Sequence, residues 1–324
     1  MSGNTQTKQV NWGIVSAGRI AEKFCEDMQY VKNGRLAAIA ARSIQSAVNF
    51  AEKFQIERAY AGYQCLFDDP EIDVIYIATT HNFHFQHAKA ALLAGKSVLC
   101  EKPITVSVNE CVELQTIAKQ KNVFLMEALW TYFLPSVLQA KQWAEQGLIG
   151  KIKHIKADFG YQVPYDAIGR MYNPELAGGC LFDMGIYPLA ISHYFNPAPL
   201  SEIAIKVKKA ESGVEDDLVI LAKAGDVTLS LATSFQCRLQ NAALIIGEDG
   251  YIKIPDFWRA KSCSLHKMDT KIDEFIDSEA NLGYCHEANA VGEMILQNCK
   301  EHPFVPHSTS LALQQQLEAI RTMF

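Results

Sequence analysis

The sequence predicts an α/β chain of two domains, the first built on a parallel sheet and the second on an open, mainly antiparallel one. Two observations carry this: apolar strands alternate with helical patterns up to residue 126, and beyond it short strands crowd together. A third is length, since 324 residues exceed the size at which one core keeps growing. The predicted division is therefore 1–126 and 127–324. In the first part, 10–15, 36–41, 74–78, 97–100 and 123–126 read as strands, and 20–30, 47–54, 84–93 and 109–120 as helices. Such alternation gives right-handed βαβ units with both sheet faces covered. In the second part the predicted strands are 151–160, 201–208, 217–224, 227–235, 242–246 and 251–254, punctuated by turns such as Gly225-Asp226. Helices at 181–194, 287–297 and 310–323 would cover one face of that sheet.

With 49% hydrophobic and 20% charged residues, the chain can bury ample core. A net charge of -6 lacks the basic footprint of a nucleic-acid binder, so no nucleic-acid partner is expected. Met1 to Gln9 are polar, and no apolar run reaches membrane-span length; a soluble, cytoplasmic protein with no membrane partner is predicted. Nine scattered cysteines without a Cys-x-x-Cys pair suit free thiols in a reducing compartment rather than a disulfide or zinc framework. No metal site is expected.

The opening run Val10 to Ala21 reads as strand, tight turn and helix start. Against G-x-G-x-x-G/A the matching positions are Ser16, Gly18 and Ala21. Gly18 lets backbone approach a pyrophosphate, Ala21 lets helix and strand pack closely, and Arg19 and Ile20 open a helix whose amides and dipole favour phosphate. Ser16 departs from the first glycine of the pattern. The context still makes this a Rossmann dinucleotide-binding turn. The second strand ends Ala40-Ala41-Arg42-Ser43, with no acid for a ribose hydroxyl and an arginine available to a 2′-phosphate. Guanidinium pairs with phosphate through two donors, so the cofactor predicted is NADP rather than NAD.

Ligands of such sheets bind beyond the carboxyl ends of the strands. There, after 97–100, stands Glu101-Lys102-Pro103, which would put Lys102 beside a nicotinamide, with Pro103 fixing the chain direction. After 74–78 come Thr79, His81, His84 and His87. His81 is expected to precede the helix and to serve cofactor or substrate, with His87 structural; zinc would need a further ligand set. In the second domain Gly178-Gly179 leads to Asp183 and Tyr187, four apart and so on one helical face. That pair suits a hydroxylated substrate, although alone it reads equally as a helix start with Asp183 serving the dipole and Tyr187 half-buried.

Together these residues make the chain resemble the glucose-fructose oxidoreductase, inositol dehydrogenase and MocA (Gfo/Idh/MocA) family over nearly its whole length. The stretches Trp12 to Gly18, Val98 to Pro103, Leu125 to Thr131 and Gly178 to Tyr187 look most like its dimeric dihydrodiol dehydrogenase group, whose members also oxidise D-xylose with NADP. That group shares Ser16, and tyrosine at 187 where most of the family has histidine. The resemblance implies an open sheet used for homodimerisation. By position it implies Ser16, Gly18, Arg19, Ile20, Ala21 and Arg42 holding NADP, and Thr79, His81, His84, Glu101, Lys102 and Pro103 framing the nicotinamide. Trp130, Arg170, Asp183 and Tyr187 would face a small hydroxylated substrate, Arg170 from a loop that matches no tight pattern.

The expected reaction is oxidation of a secondary or anomeric alcohol, of a trans-dihydrodiol or an aldose, with Lys102, Tyr187 and Asp183 as catalytic residues. Free tyrosine and lysine titrate near about 10 and 10.4, so either needs help to act as a base at neutral pH. A neighbouring ammonium favours tyrosinate, which makes Lys102 assisting Tyr187 the preferred assignment, with the reverse left open. The competing expectation is a regulator that binds the dinucleotide as a signal without turnover.

Overall fold

The computed structural model describes residues 9–324, so the polar segment Met1 to Lys8, part of the expectation of no apolar leader, lies outside the described residues. The chain divides into two units: residues up to Trp130 with Asn281–Ser310, and Thr131–Ala280 with Leu311–Phe324.

The first unit alternates β1 (Val10–Val15), α1 (Arg19–Asp27), β2 (Gly34–Ala41), α2 (Ile44–Phe54), β3 (Arg58–Ala61), α3 (Gln64–Asp68), β4 (Val74–Ile77), α4 (His81–Leu93), β5 (Ser97–Glu101), α5 (Val108–Lys121) and β6 (Leu125–Ala128). The six strands pair in parallel in the order β3-β2-β1-β4-β5-β6. The order reverses between β1 and β4, and this switch point is where an open α/β sheet binds ligands. Strand composition follows from burial on both faces: all four residues of β4 are buried, as are the last five of β2. Ile75, Ile77, Val98 and Cys100 pack with Ala88, Ala91 and Leu92 of α4 and with Cys111, Leu114 and Ala118 of α5. The caps are local. Ser43 accepts the Ser46 amide at 3.2 Å to start α2, Ser107 accepts the Glu110 amide at 3.3 Å to start α5, and Asn122 in a left-handed conformation ends α5.

The second unit begins with α6 (Pro135–Glu145) and β7 (Ile152–Gly160). A wide turn of π type over Leu181–Gly185 leads into α7 (Ile186–Phe195). Then come β8 (Leu200–Lys209), β9 (Glu215–Ala224), β10 (Val227–Ser234), β11 (Ala242–Gly247), β12 (Tyr251–Pro255), β13 (Ser262–Lys267) and β14 (Thr270–Ile276). They form one sheet, β14-β13-β12-β11-β7-β10-β9-β8, in which β7 and β10 run parallel and the other pairs antiparallel. Helices α6 and α7 pack on one face of it. The other face carries Val219, 41% exposed, and Leu221, 51% exposed, which alternate with buried Leu218, Ile220 and Ala222. The last helices are α8 (Tyr284–Leu296), in the first unit, and α9 (His307–Arg321).

Three strands escape the sequence reading. β3 has only four residues at a sheet edge, and β13 and β14 are polar; six of the seven β14 residues are exposed, so no inward apolar face marks it. The helix expected over 181–194 is two pieces, because Pro188 cannot donate to the carbonyl four residues back and the regular ladder starts only at Ile186. A single crossing at residue 126 also leaves out the return of Asn281–Ser310 to the first unit. There Asp27, 1% exposed, accepts the amides of Leu282, Gly283 and Cys285 at 2.7, 2.8 and 3.1 Å, holding the start of α8 against α1.

Candidate functional site

The nucleotide turn is built as the fingerprint requires, with one departure. Ser16 takes φ +96°, a region that favours glycine, and its amide donates to the Ala40 carbonyl at 3.0 Å. This is why the fingerprint has glycine there. Gly18 is the N-cap of α1 and supplies no side-chain cap, so the first-turn amides of α1 keep their donors for a ligand. A Cβ on Gly18 would meet only the Ser16 Oγ at 3.3 Å and the Ala78 carbonyl at 4.0 Å, leaving space above the turn for a bulky group. Ala21 is fully buried, Arg19 exposed and Ile20 half-buried. Arg42 stands exposed just past the C-terminal end of β2. Amide donors and an open cradle over Gly18 fit the pyrophosphate of a dinucleotide.

At the ends of β4 and β5 the first unit gathers its titratable groups. His81 is the first residue of α4 and not a residue ahead of it, so His81, His84 and His87 all lie on one helix; the Thr80 backbone is already the extended cap. All three histidines are buried. His84 Nδ1 lies 2.7 Å from the Pro103 carbonyl oxygen and Nε2 3.1 Å from that of Thr79. Burial lowers His84 to about 4, with Lys102 acting in the same direction, so the ring is neutral and donates through one nitrogen only. The shorter contact, from Nδ1 to Pro103, ties the segment after β5 to His84 on α4. His87 meets the Thr79 hydroxyl at 3.3 Å and the Tyr63 ring edge-on, and burial lowers it to about 4. Among the described residues no group of three or more His, Cys, Asp or Glu is arranged to hold a metal ion.

Glu101 is buried and Lys102 half-buried. The Tyr76 hydroxyl donates to Glu101 Oε1 at 2.5 Å, and the Lys102 amide donates to Oε2 at 3.3 Å. Tyr76 in turn stacks on Phe24 of α1, with centroids 3.8 Å apart. A continuous aromatic contact thus links the helix behind the nucleotide turn to the carboxylate preceding Lys102. Two further acids were not foreseen from sequence. Glu127, fully buried at β6, accepts the Ile104 amide at 2.9 Å; burial raises its carboxyl to about 7, against the Ser310 hydroxyl, the Ile104 amide and Lys102. Glu287 on α8 is fully buried with neither carboxyl oxygen hydrogen-bonded, and burial first, then Glu101, pushes it well above the usual carboxylate range. Its signal is tertiary, because α8 returns to this unit from the far end of the chain. Trp130, expected at the substrate, belongs to this unit, is 3% exposed and stacks on Tyr284 at 4.4 Å.

The second unit brings together the other expected substrate residues. Arg170 Nη2 donates to Asp183 Oδ1 at 2.7 Å and contacts the Met171 sulfur at 3.2 Å. Asp183 sits in the wide turn and Tyr187 in the first turn of α7, both half-buried. Tyr187 meets Phe159 edge-on at 5.3 Å and Trp258 at 6.3 Å; Phe159 and Trp258 lie 4.9 Å apart, and Tyr161 meets Phe159 edge-on at 5.7 Å. The result is an aromatic wall beside a carboxylate–guanidinium pair, which suits a ligand with an apolar face and hydroxyl groups. Trp258 lies between β12 and β13, where the sequence shows no motif.

A family model described as "Oxidoreductase family, NAD-binding Rossmann fold" matches residues 10–129, and one described as "GFO/IDH/MocA C-terminal domain" matches residues 137–253. The chain is 35% identical to trans-1,2-dihydrobenzene-1,2-diol dehydrogenase of Mus musculus, over 96% of both chains. It is 32% identical to the enzymes of that name from Danio rerio and Homo sapiens, again over 96% of each. Among solved structures, aldose-aldose oxidoreductase from Caulobacter crescentus complexed with glycerol superposes with a TM-score of 0.89 at 20% identity, covering 97% of both chains. A 3-ketoreductase from Actinomadura kijaniata in complex with NADP and TDP-benzene does so with a TM-score of 0.86 at 23% identity, covering 97% of this chain and 98% of that one.

Proposed function

Because the chain belongs to the Gfo/Idh/MocA oxidoreductase family and is an enzyme of the dehydrogenase type, we propose that it oxidises a secondary or anomeric alcohol, of a trans-dihydrodiol or an aldose such as D-xylose, with NADP. The observation that carries this reading is the Arg170–Asp183 pair beside Tyr187 and its aromatic wall, because it offers a rigid apolar face together with groups that bind vicinal hydroxyls. The relatives named for a dihydrodiol support the substrate class. Arg42, with no acid at positions 40 and 41, supports NADP over NAD. Bound NADP supplies the hydride acceptor.

The residues of the chain do the rest. The α1 amides, Gly18 and Arg42 hold the phosphates; Glu101, fixed by Tyr76, and Pro103, fixed by His84, set the backbone on either side of Lys102. Arg170 and Asp183 orient the substrate hydroxyls. Tyr187 takes the hydroxyl proton and Lys102 shares that step as the charge favouring tyrosinate. The open sheet face bearing Val219 and Leu221 supports a homodimer. The test is reduction of NADP and of NAD under a panel of trans-dihydrodiols and aldoses: turnover of at least one with NADP is expected, whereas tight NADP binding with silence across the panel would favour a signalling protein.

A further inference from the structure

Asp183 and Tyr187 are presented by a turn whose entry is held by a residue outside the motif. Leu181–Gly185 is wound as a π turn, a rare form that concentrates at functional sites. The first amides of such a segment have no partner within it, and Cys180, the N-cap, offers none from its side chain. The partner comes from β9. Glu215, 8% exposed, accepts the Leu181 amide at Oε1, 3.0 Å away. Its carboxylate also takes its own backbone N–H, and the cations Arg321 and Lys209 favour its charge against the burial that raises it. Arg321 lies over the ring of Phe182, 5.3 Å from its centroid.

The fit between this carboxylate and the turn is tight. Gly179 takes φ +114°, and a Cβ there would fall 2.2 Å from Glu215 Oε1 and 2.6 Å from its Cδ. The carboxylate thus occupies the space that a side chain at 179 would need. Further along, the Thr233 hydroxyl donates to the Cys180 carbonyl at 3.4 Å and the Gly179 amide to that of Met171 at 2.9 Å, so the entry is tied from three sides.

We infer that Glu215 is a positioning residue for the substrate-binding face of this unit: its carboxylate fixes the Gly179–Leu181 entry and thereby the setting of Asp183 and Tyr187. The inference rests on the proposed roles of those two residues. An acceptor at that distance is what the turn requires, so glutamine, which keeps a carbonyl oxygen there, should serve. Aspartate keeps the charge but withdraws the oxygen, and should not.

The experiment compares Glu215→Ala, Glu215→Asp and Glu215→Gln with Tyr187→Phe, reading kcat, KM, NADP dissociation constant and Tm. Glu215→Asp and Glu215→Ala should lower kcat by ~10- to 100-fold, the scale of a misplaced reacting group, with NADP affinity unchanged. Glu215→Gln should recover activity to within about threefold of wild type. If Glu215→Ala fails to fold, the contrast between Asp and Gln decides alone. Folded Glu215→Asp with normal kcat, alongside a crippled Tyr187→Phe, would overturn the inference and leave the assignment of Tyr187 standing. Equal losses in Asp and Gln would overturn it too, because the acceptor would not be what matters. A fully active Tyr187→Phe would instead remove the reading on which the inference depends.

Discussion

Arg170 donates to Asp183 across 2.7 Å although they lie thirteen positions apart, and the carboxylate is the more buried partner, at 17% side-chain exposure against 36%. The guanidinium therefore fixes an acid that the wide turn has already drawn in from solvent. Asp183→Asn keeps the shape and removes the charge. Loss of a hydrogen bond to a charged group is worth about 1.5–3 kcal/mol, so kcat/KM should fall by ~10- to 150-fold. Steady-state kinetics on the best substrate of the panel, with NADP affinity measured separately, check this; an unchanged kcat/KM would remove Asp183 from the site.

Cofactor choice should hinge on Arg42. Replacing it with alanine removes the group offered to the 2′-phosphate while leaving the α1 amides intact, so NADPH binding should weaken by ~10- to 100-fold and NADH binding should hardly change. Fluorescence titration with both cofactors is the measurement. Tighter binding of NADH by the unmodified enzyme would count against the assignment.

Proton transfer should be shared between Tyr187 and Lys102. Tyr187→Phe keeps the ring beside Phe159 and deletes only the hydroxyl, so turnover should drop by ~10² to 10⁴ with NADP affinity preserved. Lys102→Met should also cripple turnover, and the double variant should lose far less than the product of the two losses, as residues acting as one unit do. Multiplicative losses would mean independent roles.

Glu127 gives a pH dependence of known sign. Its folded value of about 7 lies above the ordinary 4.5, so the folded state holds an extra proton between these values and this residue's penalty appears as pH rises through that window. Glu127→Gln keeps an acceptor for the Ile104 amide and cannot ionise. It should raise stability at pH 8 by on the order of 3 kcal/mol, a gain that shrinks towards pH 5. His84, lowered to about 4, works the opposite way: unfolded chains take up its proton below about 6.5, so it costs stability as pH falls. Urea melts of variant and wild type at matched pH isolate the Glu127 contribution by difference.

The exposed apolar pair on β9 bears on assembly. Light scattering at micromolar concentration should give twice the 36.1 kDa chain mass, and Leu221→Lys should shift it towards the monomer. A clean monomer from the unmodified chain would refute the homodimer.

Much of the first unit was legible because its signals are local. A buried parallel strand reads as a continuous apolar run, as in Val74–Ile77, and the nucleotide turn declares itself by Gly18 and Ala21 at fixed offsets. Ser16 fits this logic as well, since its left-handed backbone shows why the departure from glycine mattered. What stayed hidden depends on distant chain. Glu287 and Tyr284 reach the first unit only when α8 folds back, and Trp258 joins Phe159 only through sheet packing. Glu215 opens a strand with no motif around it, and its partner is an amide that every sequence possesses. The start of α4 was placed three residues too late, at 84 instead of His81, because helix ends are set by backbone geometry more than by side-chain type.

Asp27, spanning more than 250 residues to hold three amides at the start of α8, ties the first unit's beginning to a late part of the chain. During synthesis the first 130 residues emerge with that carboxylate still waiting for its donors and with β1 and β2 lacking the contacts that α8 makes. The nucleotide-binding unit is thus completed late, so a chain cut short after β14 should leave it loosened at α1 even though every residue of the dinucleotide fingerprint is present.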